Sequence, residues 1–490
     1  MSKDTLKLEN MFNGATYSDF LFRPQFSVIQ SRRNVGLTMS LTKNIKVDVP
    51  IVGANMDTVT REKMMKTLSL EGCFGFLDRN CPIEDQVTRV RYVKRQHSFV
   101  IDNPVVVHSK NTIEEARNII TGQNVSSLLV ENSPGSNVLS GIITHRDIIA
   151  AEGREGMLVE NFMTPFKRVI TAKPGIAIGR AEKIMAENRI EKLPLINKDR
   201  KIKGLITIRD IQVAKQKPYS TKDDRGRLMV GAAIGSSGDY MDRAEALISA
   251  EADCILMDIA HGHSEVMKKS IRSFKQKFKN TELVCGNVAT GAGAKFLMGL
   301  GADAIKIGIG PGKGCRTRLE VGAGVPQLQA IREAYLTVGG KIPIIADGGV
   351  CNDKDIVLAI LCGASTVMLG SMLSGTDESP GIITEDVALK RKVKTYRGMT
   401  SVEAVLDGSS SGHNLEEVLS NAQAQEGQSV TVPYVGSVAP IIKRIKDHLR
   451  SAVSYAGEKD LFSAHKKISA NPEKYLIRLS EATKKESFAR

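Results

Sequence analysis

At 490 residues the chain exceeds the usual single-domain size, so one large domain of roughly 200 to 350 residues with a smaller companion is expected. Apolar residues make up 42%, no window approaches the roughly 18 apolar residues that span a membrane, and seven cysteines without CxxC spacing argue against disulfides and zinc. The formal net charge of +14 is spread along the chain, as on solvated helix faces; it weighs against a nucleic-acid site and favours attraction of small phosphate esters.

The first residues, MSKDTLKLEN, lack the apolar run of a secretory signal, and residues 487–490 match no peroxisomal address, so the cytoplasm is the expected location. Residues 49–56 (VPIVGANM) read as a buried strand ending in Asn55-Met56-Asp57. A helix at 61–71 and a strand at 73–77 follow, giving one βαβ unit.

From about 100 to 214 an internal repeat appears. Gly141-Ile-Ile-Thr144-His-Arg-Asp147 recurs as Gly204-Leu-Ile-Thr207-Ile-Arg-Asp210, each preceded by a helix and strand (113–130 and 178–196). The α/β rhythm then resumes, with strands at 228–233, 254–259, 282–288, 304–309, 342–346 and 366–369. With the two earlier strands this makes eight. Eight strands alternating with helices predict a (β/α)8 TIM barrel whose site lies on the loops following the strands. Those strands end in polar or glycine-rich groups: Asn55-Met56-Asp57, Asp258, Gly286-Asn287, Asp347-Gly348-Gly349 and Gly370-Ser371.

The densest of these endings is residues 308–318 (GIGPGKGCRTR). Four glycines and a proline after a β-branched run predict a loop whose backbone approaches a ligand, with Cys315 at its tip. Thr317 stands two residues on, between Arg316 and Arg318; cationic neighbours lower a thiol's pKa and favour a nucleophile, while a small buried cysteine in a glycine turn is the plain alternative. Beyond residues 396–400 (YRGMT), the polar stretch 401–429 reads as a mobile lid, followed by a strand at 430–435 and an amphipathic helix at 440–450.

The repeat resembles a tandem pair of cystathionine-β-synthase (CBS) domains. That resemblance implies a nucleotide-sensing module in which Thr144 with Asp147 and Thr207 with Asp210 hold ribose and phosphate of adenine or guanine nucleotides. The whole chain, through GIGPGxxCxTR, ADGG, LGSM and YRGM, resembles the inosine-monophosphate (IMP) dehydrogenase and guanosine-monophosphate (GMP) reductase superfamily, with CBS domains inserted after the second barrel strand. The implied division is barrel at 1–98 and 218–490, inserted pair at 99–217, and flap at about 396–430.

Both branches are implied to add the cysteine thiolate to C2 of a purine nucleotide. The dehydrogenase then passes hydride to NAD and hydrolyses the adduct to xanthosine monophosphate; the reductase expels ammonia and accepts hydride from NADPH. Three features favour the reductase. Residues 401–425 contain no Arg and no Tyr, whereas the dehydrogenase flap uses an Arg-Tyr pair to activate water. Gln425-Glu426-Gly427 before VTVPY resembles the reductase's Ser-Glu-Gly segment. Residues 54–57 (ANMD) and 258–262 (DIAHG) follow the reductase's AANMD and DVANG rather than SSPMD and DSSQG.

Carried over, the resemblance implies Cys315 as nucleophile and Thr317 with Glu426 as proton-transfer pair. Asp347 would bind the ribose diol and Gly348, Gly349, Gly370 and Ser371 the phosphate; Gly398, Met399, Thr400, Gly427 and Asn55 complete the substrate site. Asp258, Ile259 and Ala260 would face NADPH, and carbonyls of Gly310, Gly312, Cys315 and Arg318 would hold K+. A homotetramer, pairing into octamers, is implied. Lys313, Arg316, Gln423 and His261 depart from the usual Ser, Thr, Arg and Asn. An IMP dehydrogenase, or a purine-nucleotide sensor without turnover, are the alternatives.

Overall fold

The computed structural model describes residues 11–95, 100–101, 103–123, 125–388, 390–409 and 426–488. The chain divides into two compact units, one of residues 1–94, 219–221 and 228–490, the other of residues 95–218 and 222–227.

The larger unit is a closed barrel of eight parallel strands. In chain order these are β1 (Ile51–Gly53), β2 (Phe74–Leu77), β3 (Gly231–Ile234), β4 (Cys254–Asp258), β5 (Glu282–Val288), β6 (Ala304–Ile307), β7 (Ile344–Asp347) and β8 (Thr366–Leu369). Each is nearly all apolar because both faces are covered, by the barrel interior and by the helices. Closure is made where Val367 of β8 pairs with Ile51 of β1, and where Phe76 of β2 pairs with Gly231 of β3 across the long insertion.

Two strands are shorter than their apolar runs. β1 stops at Gly53 because the Met56 N–H turns back to the Ala54 carbonyl (2.8 Å). β3 starts only at Gly231 because the Val230 N–H donates to the Asp253 carboxylate (2.7 Å) instead of joining the ladder.

Helix Val438–Tyr455 packs against both Glu62–Leu70 and Asp353–Leu361, so it fills the eighth place of the outer ring. Everything between β8 and that helix is therefore an insertion on the strand C-terminal side. It contains a three-stranded antiparallel sheet of β9 (Thr384–Asp386), β10 (Arg391–Arg397) and β11 (Ser429–Pro433), and helix Val402–Ser409. YRGM thus begins on a strand, which its Arg and Gly concealed. Most of the expected lid, residues 410–425 with Gln423, lies outside the described residues.

In the smaller unit each repeat copy forms a helix and an antiparallel strand pair that leads into a further helix. Ser127–Glu131 pairs with Leu139–Thr144, and Lys192–Ile196 with Ile202–Thr207. Each half has its own core, and Leu129, Leu139, Ile142, Ile202 and Leu205 form a shared one. Among the described residues no helix is long and apolar enough to cross a membrane.

Candidate active site

The C-terminal ends of the barrel strands surround a cavity of about 650 Å³, within the roughly 300–1,000 Å³ usual for small-molecule sites. Its walls include the loop after β6, the Asp347-Gly348-Gly349 turn after β7, Gly370 and Ser371 after β8, and Gly398 to Thr400 beyond β10.

Cys315 lies on the cavity wall with its Sγ 3.1 Å from Thr317 Oγ1. The Thr317 hydroxyl donates to Glu426 Oε2 at 2.6 Å. A short backbone ladder holds Glu426 there: the Arg316 N–H donates to the Glu426 carbonyl (2.7 Å), the Gln428 N–H to Gly314 (3.0 Å) and the Gly398 N–H to Gln428 (3.0 Å). Gly427 pairs with Cys315 in that ladder and stands outside the cavity lining, so its part is to position the loop.

The two arginines beside Cys315 differ. Arg316 is turned to Glu320 (Nε to Oε1, 2.7 Å), which balances its charge, and it also donates to Gln428 Oε1 (3.3 Å). Arg318 folds over Gly310 and donates to the Val325 carbonyl (2.5 Å). Burial loosens the Arg318 guanidinium's hold on its proton, and the charge of Cys315 opposes that loss.

The expected K+ ligands fit this arrangement poorly. A hard cation needs several carbonyl oxygens around one point; here the Gly312 carbonyl accepts the Cys315 N–H (3.0 Å), and the Arg318 guanidinium chain packs against Gly310, where a second cation would be repelled.

On the opposite side, Asp347 Oδ2 accepts from Lys306 Nζ (2.6 Å) and Asn287 Nδ2 (2.9 Å). Asp258 accepts from Asn55 (2.7 Å) and stands 3.1 Å from Lys306. Gly348 and Gly349 have φ of 90° and 77°, the left-handed region in which a side chain is strained, and their turn brings backbone N–H groups to the cavity. Ile259 and Ala260 line the wall beside Asp258, but exposed His261 does not; its ring faces His263 instead.

Several residues without an assigned role also meet here. Lys306 and Asn287 join the polar floor, and buried Tyr396 approaches Met56 Sδ (3.6 Å). Arg397 binds Asp57 through two nitrogens (3.2 and 2.6 Å) and reaches Asp407 (2.6 Å), tying helix Val402–Ser409 to the loop after β1. A lysine inside the apolar run AIKI was the visible signal for Lys306; nothing local marks Asp57 as the partner of Arg397.

In the smaller unit the repeated Thr and Asp engage one another. The Thr144 hydroxyl and N–H both donate to Asp147 Oδ2 (2.7 Å each), and the Thr207 hydroxyl donates to Asp210 Oδ2 (2.5 Å). Each pair caps the start of the helix that follows.

Residues 14–489 match the family described as the IMP dehydrogenase / GMP reductase domain. The chain is 41% identical over 449 residues to an inosine-5′-monophosphate dehydrogenase of Nitrosopumilus maritimus, covering 91% of this chain and 92% of that one. It is 39% identical over 459 residues to a GMP reductase of Leishmania donovani, covering 92% of each. Among solved structures, a cysteine-to-alanine variant of GMP reductase from Trypanosoma brucei in complex with guanosine 5′-monophosphate superposes with TM-score 0.85 at 36% identity, over 97% of both chains. The same enzyme in complex with guanosine 5′-triphosphate gives 0.75 at 33%, over 96% of this chain and 98% of that one. With a closed eightfold barrel, a cysteine loop at its strand ends and these likenesses over nearly its whole length, the chain belongs to the IMP dehydrogenase / GMP reductase family.

Proposed function

We propose that this oxidoreductase is a GMP reductase, converting GMP to IMP and ammonia with NADPH. The observation that carries this reading is the Thr317 hydroxyl, in contact with Cys315 Sγ and donating to Glu426. A carboxylate linked through a hydroxyl to the nucleophile is a proton store suited to an amine leaving group, and residues 401–425 offer no Arg or Tyr to activate water.

In this mechanism the Cys315 thiolate bonds to C2 of the guanine ring. Glu426, through Thr317, delivers a proton to the departing 2-amino group, which leaves as ammonia. A reduced nicotinamide held beside Asp258, Ile259 and Ala260 would supply hydride to C2, and breaking of the C–S bond restores the Cys315 thiolate. Asp347 holds the ribose diol, while backbone N–H groups of Gly348, Gly349, Gly370 and Ser371 meet the phosphate. Asp258, Ile259 and Ala260 orient the cofactor.

Nucleotide control by the smaller unit, as a CBS pair at about 99–217, belongs to the same reading. The tandem repeat and the likeness to a reductase solved with guanosine 5′-triphosphate support it. A cytoplasmic location, as the sequence leads one to expect, and a tetramer that pairs into octamers, as the family resemblance implies, belong to the same reading. Equal kinetics with and without ATP or GTP, in the full chain and after removal of residues 99–217, would reject the control.

The test of the reaction is to mix protein, GMP and NADPH and follow the reduced cofactor with ammonia in parallel. Matched loss of NADPH and gain of ammonia, abolished in Cys315→Ala, is expected. NADH formation from IMP and NAD would instead identify a dehydrogenase, a reading that the 41% identity to such enzymes supports. Nucleotide binding without either turnover would identify a sensor.

A further inference from the structure

Lys306 occupies the third position of β6, between two buried isoleucines, and its side chain is 3% exposed. A lysine this deep is retained as a cation only where anions face it. Here two do, one from neighbouring β7 and one from β4, two strands away on the other side. Asp347 Oδ2 at the end of β7 is 2.6 Å from Nζ, and Asp258 Oδ1 at the end of β4 is 3.1 Å away. Asn287 donates to Asp347 (2.9 Å) and Asn55 to Asp258 Oδ2 (2.7 Å). All five groups border the cavity.

Burial acts to strip the Lys306 proton, yet the two carboxylates outweigh it and raise its pKa above the ordinary lysine value. The converse follows for the carboxylates. With the ammonium removed, the two carboxylates face one position with no cation between them, and their repulsion favours sharing a proton. Tyr396 and Tyr17 feel the charge of Asp347 but are pushed up chiefly by burial, so they stay neutral throughout the range concerned; the other titratable groups lining the cavity with Asp258 and Asp347 are Arg79, Lys313, Cys315, Cys351 and Glu426.

We propose that Lys306 is a positioning residue that keeps Asp258 and Asp347 ionised together, so that one buried cation prepares both nucleotide subsites to accept ribose hydroxyls. An ionised carboxylate accepts only, whereas a protonated one presents a donor to a hydroxyl and loses acceptor strength. The assignment of a mononucleotide to Asp347 and a dinucleotide to Asp258 rests on the function proposed above; the shared ionisation does not.

The experiment uses the full chain carrying Cys315→Ala, so that binding is read without turnover. Affinities for GMP and for NADP+ are measured from about pH 6.5 to 8.5 in this parent and in Lys306→Met. The expected result is that Lys306→Met weakens both ligands at least ~10-fold at the acid end. Relative to the parent, the deficit then shrinks as pH rises and the shared proton leaves. Lys306→Arg keeps the cation and the parent's pH profile. Adding Asp258→Asn to Lys306→Met leaves Asp347 as a single carboxylate, and GMP binding regains the parent's pH profile.

Loss of one ligand only, or an equal loss of both at every pH, would overturn the proposal. A ligand-free readout separates this from failure of the functional reading. The thermal midpoint of Lys306→Met should fall with rising pH through the shared-proton range, because the folded carboxylate pair holds a proton that the unfolded chain does not. Should Lys306→Met fail to fold, Lys306→Gln carries the same expectations. A flat midpoint refutes the shared proton whatever the ligands prove to be; absent GMP and NADP+ binding in the parent refutes the functional reading alone.

Discussion

Thr317 and Glu426 are 109 residues apart in the chain and 2.6 Å apart in the fold, with the Thr317 hydroxyl donating to the Glu426 carboxylate. The same hydroxyl touches Cys315 Sγ at 3.1 Å, so the three groups are joined in one chain of contacts, the proton path of the proposed mechanism. Replacing Glu426 by Gln keeps the shape but removes the proton store. Turnover of GMP should fall about 10²- to 10⁴-fold with GMP affinity little changed. Thr317→Ala should fall comparably, and the double variant hardly further, because the groups act as a unit. Steady-state kinetics of the three variants check this; additive losses would break the path.

Arg397 joins a buried carboxylate to an exposed one. The Asp57 side chain is 1% exposed and the Asp407 side chain 66%, each with an oxygen 2.6 Å from Arg397 Nη2. Solvent screens the second pair, so Asp407→Asn should change unfolding free energy by less than about 1 kcal/mol. Arg397→Met leaves Asp57, among the described residues, with Asn80 as its remaining side-chain donor (2.8 Å) and should cost about 3–5 kcal/mol. Denaturant unfolding of the two variants tests the ordering.

Gly314 and Gly398 meet backbone to backbone. A Cβ on Gly314 would lie 2.8 Å from the Gly398 nitrogen, and one on Gly398 would strike the Gly314 carbonyl. Either alanine must push the Cys315 loop away from the segment at Gly398 that walls the cavity. We expect Gly398→Ala to lower kcat/KM about 100-fold, as displacements of about 1 Å do, while the thermal midpoint shifts only modestly. Unchanged kinetics would show that the loop yields without cost.

His465 is buried, with Nδ1 2.7 Å from the Ile360 carbonyl. Burial, reinforced by nearby Arg332, lowers its pKa below 6.5 against the raising effect of that carbonyl. The unfolded chain therefore takes up a proton near pH 6.5 that the folded one refuses until lower pH. Stability from this group is complete above pH 6.5 and is lost as pH falls below it, with a limiting slope of about 1.4 kcal/mol per pH unit. Thermal midpoints from pH 5 to 7 should show this slope in the parent and lack it in His465→Gln.

Some of this was readable along the chain. Runs such as CILMD and AIKI announce buried strands, and the polar or glycine-rich residues that end them announce the catalytic side of a barrel. Cys315, Thr317 and Asp347 stood out because their chemistry lies within a few residues of such an ending. The helix Val402–Ser409 and the strand carrying YRGM were less legible, because their partners, Asp57 and Ser429–Pro433, are remote. The repeated Thr-x-x-Asp was legible as a pattern, yet the contact it makes first is with itself, as a helix cap.

Residue order alone settles the inventory and the local conformation: which residues can attack, donate or accept, where strands end, and where glycine allows a left-handed turn. Which groups meet was decided only by tertiary structure. Barrel closure aligns Val367 with Ile51 and brings Lys306 between Asp258 and Asp347, while the flap strands fold back to set Glu426 against Thr317. The physical reason is range. Backbone sterics and side-chain period act over a few residues, whereas strand register and closure are set by the packing free energy of the whole barrel.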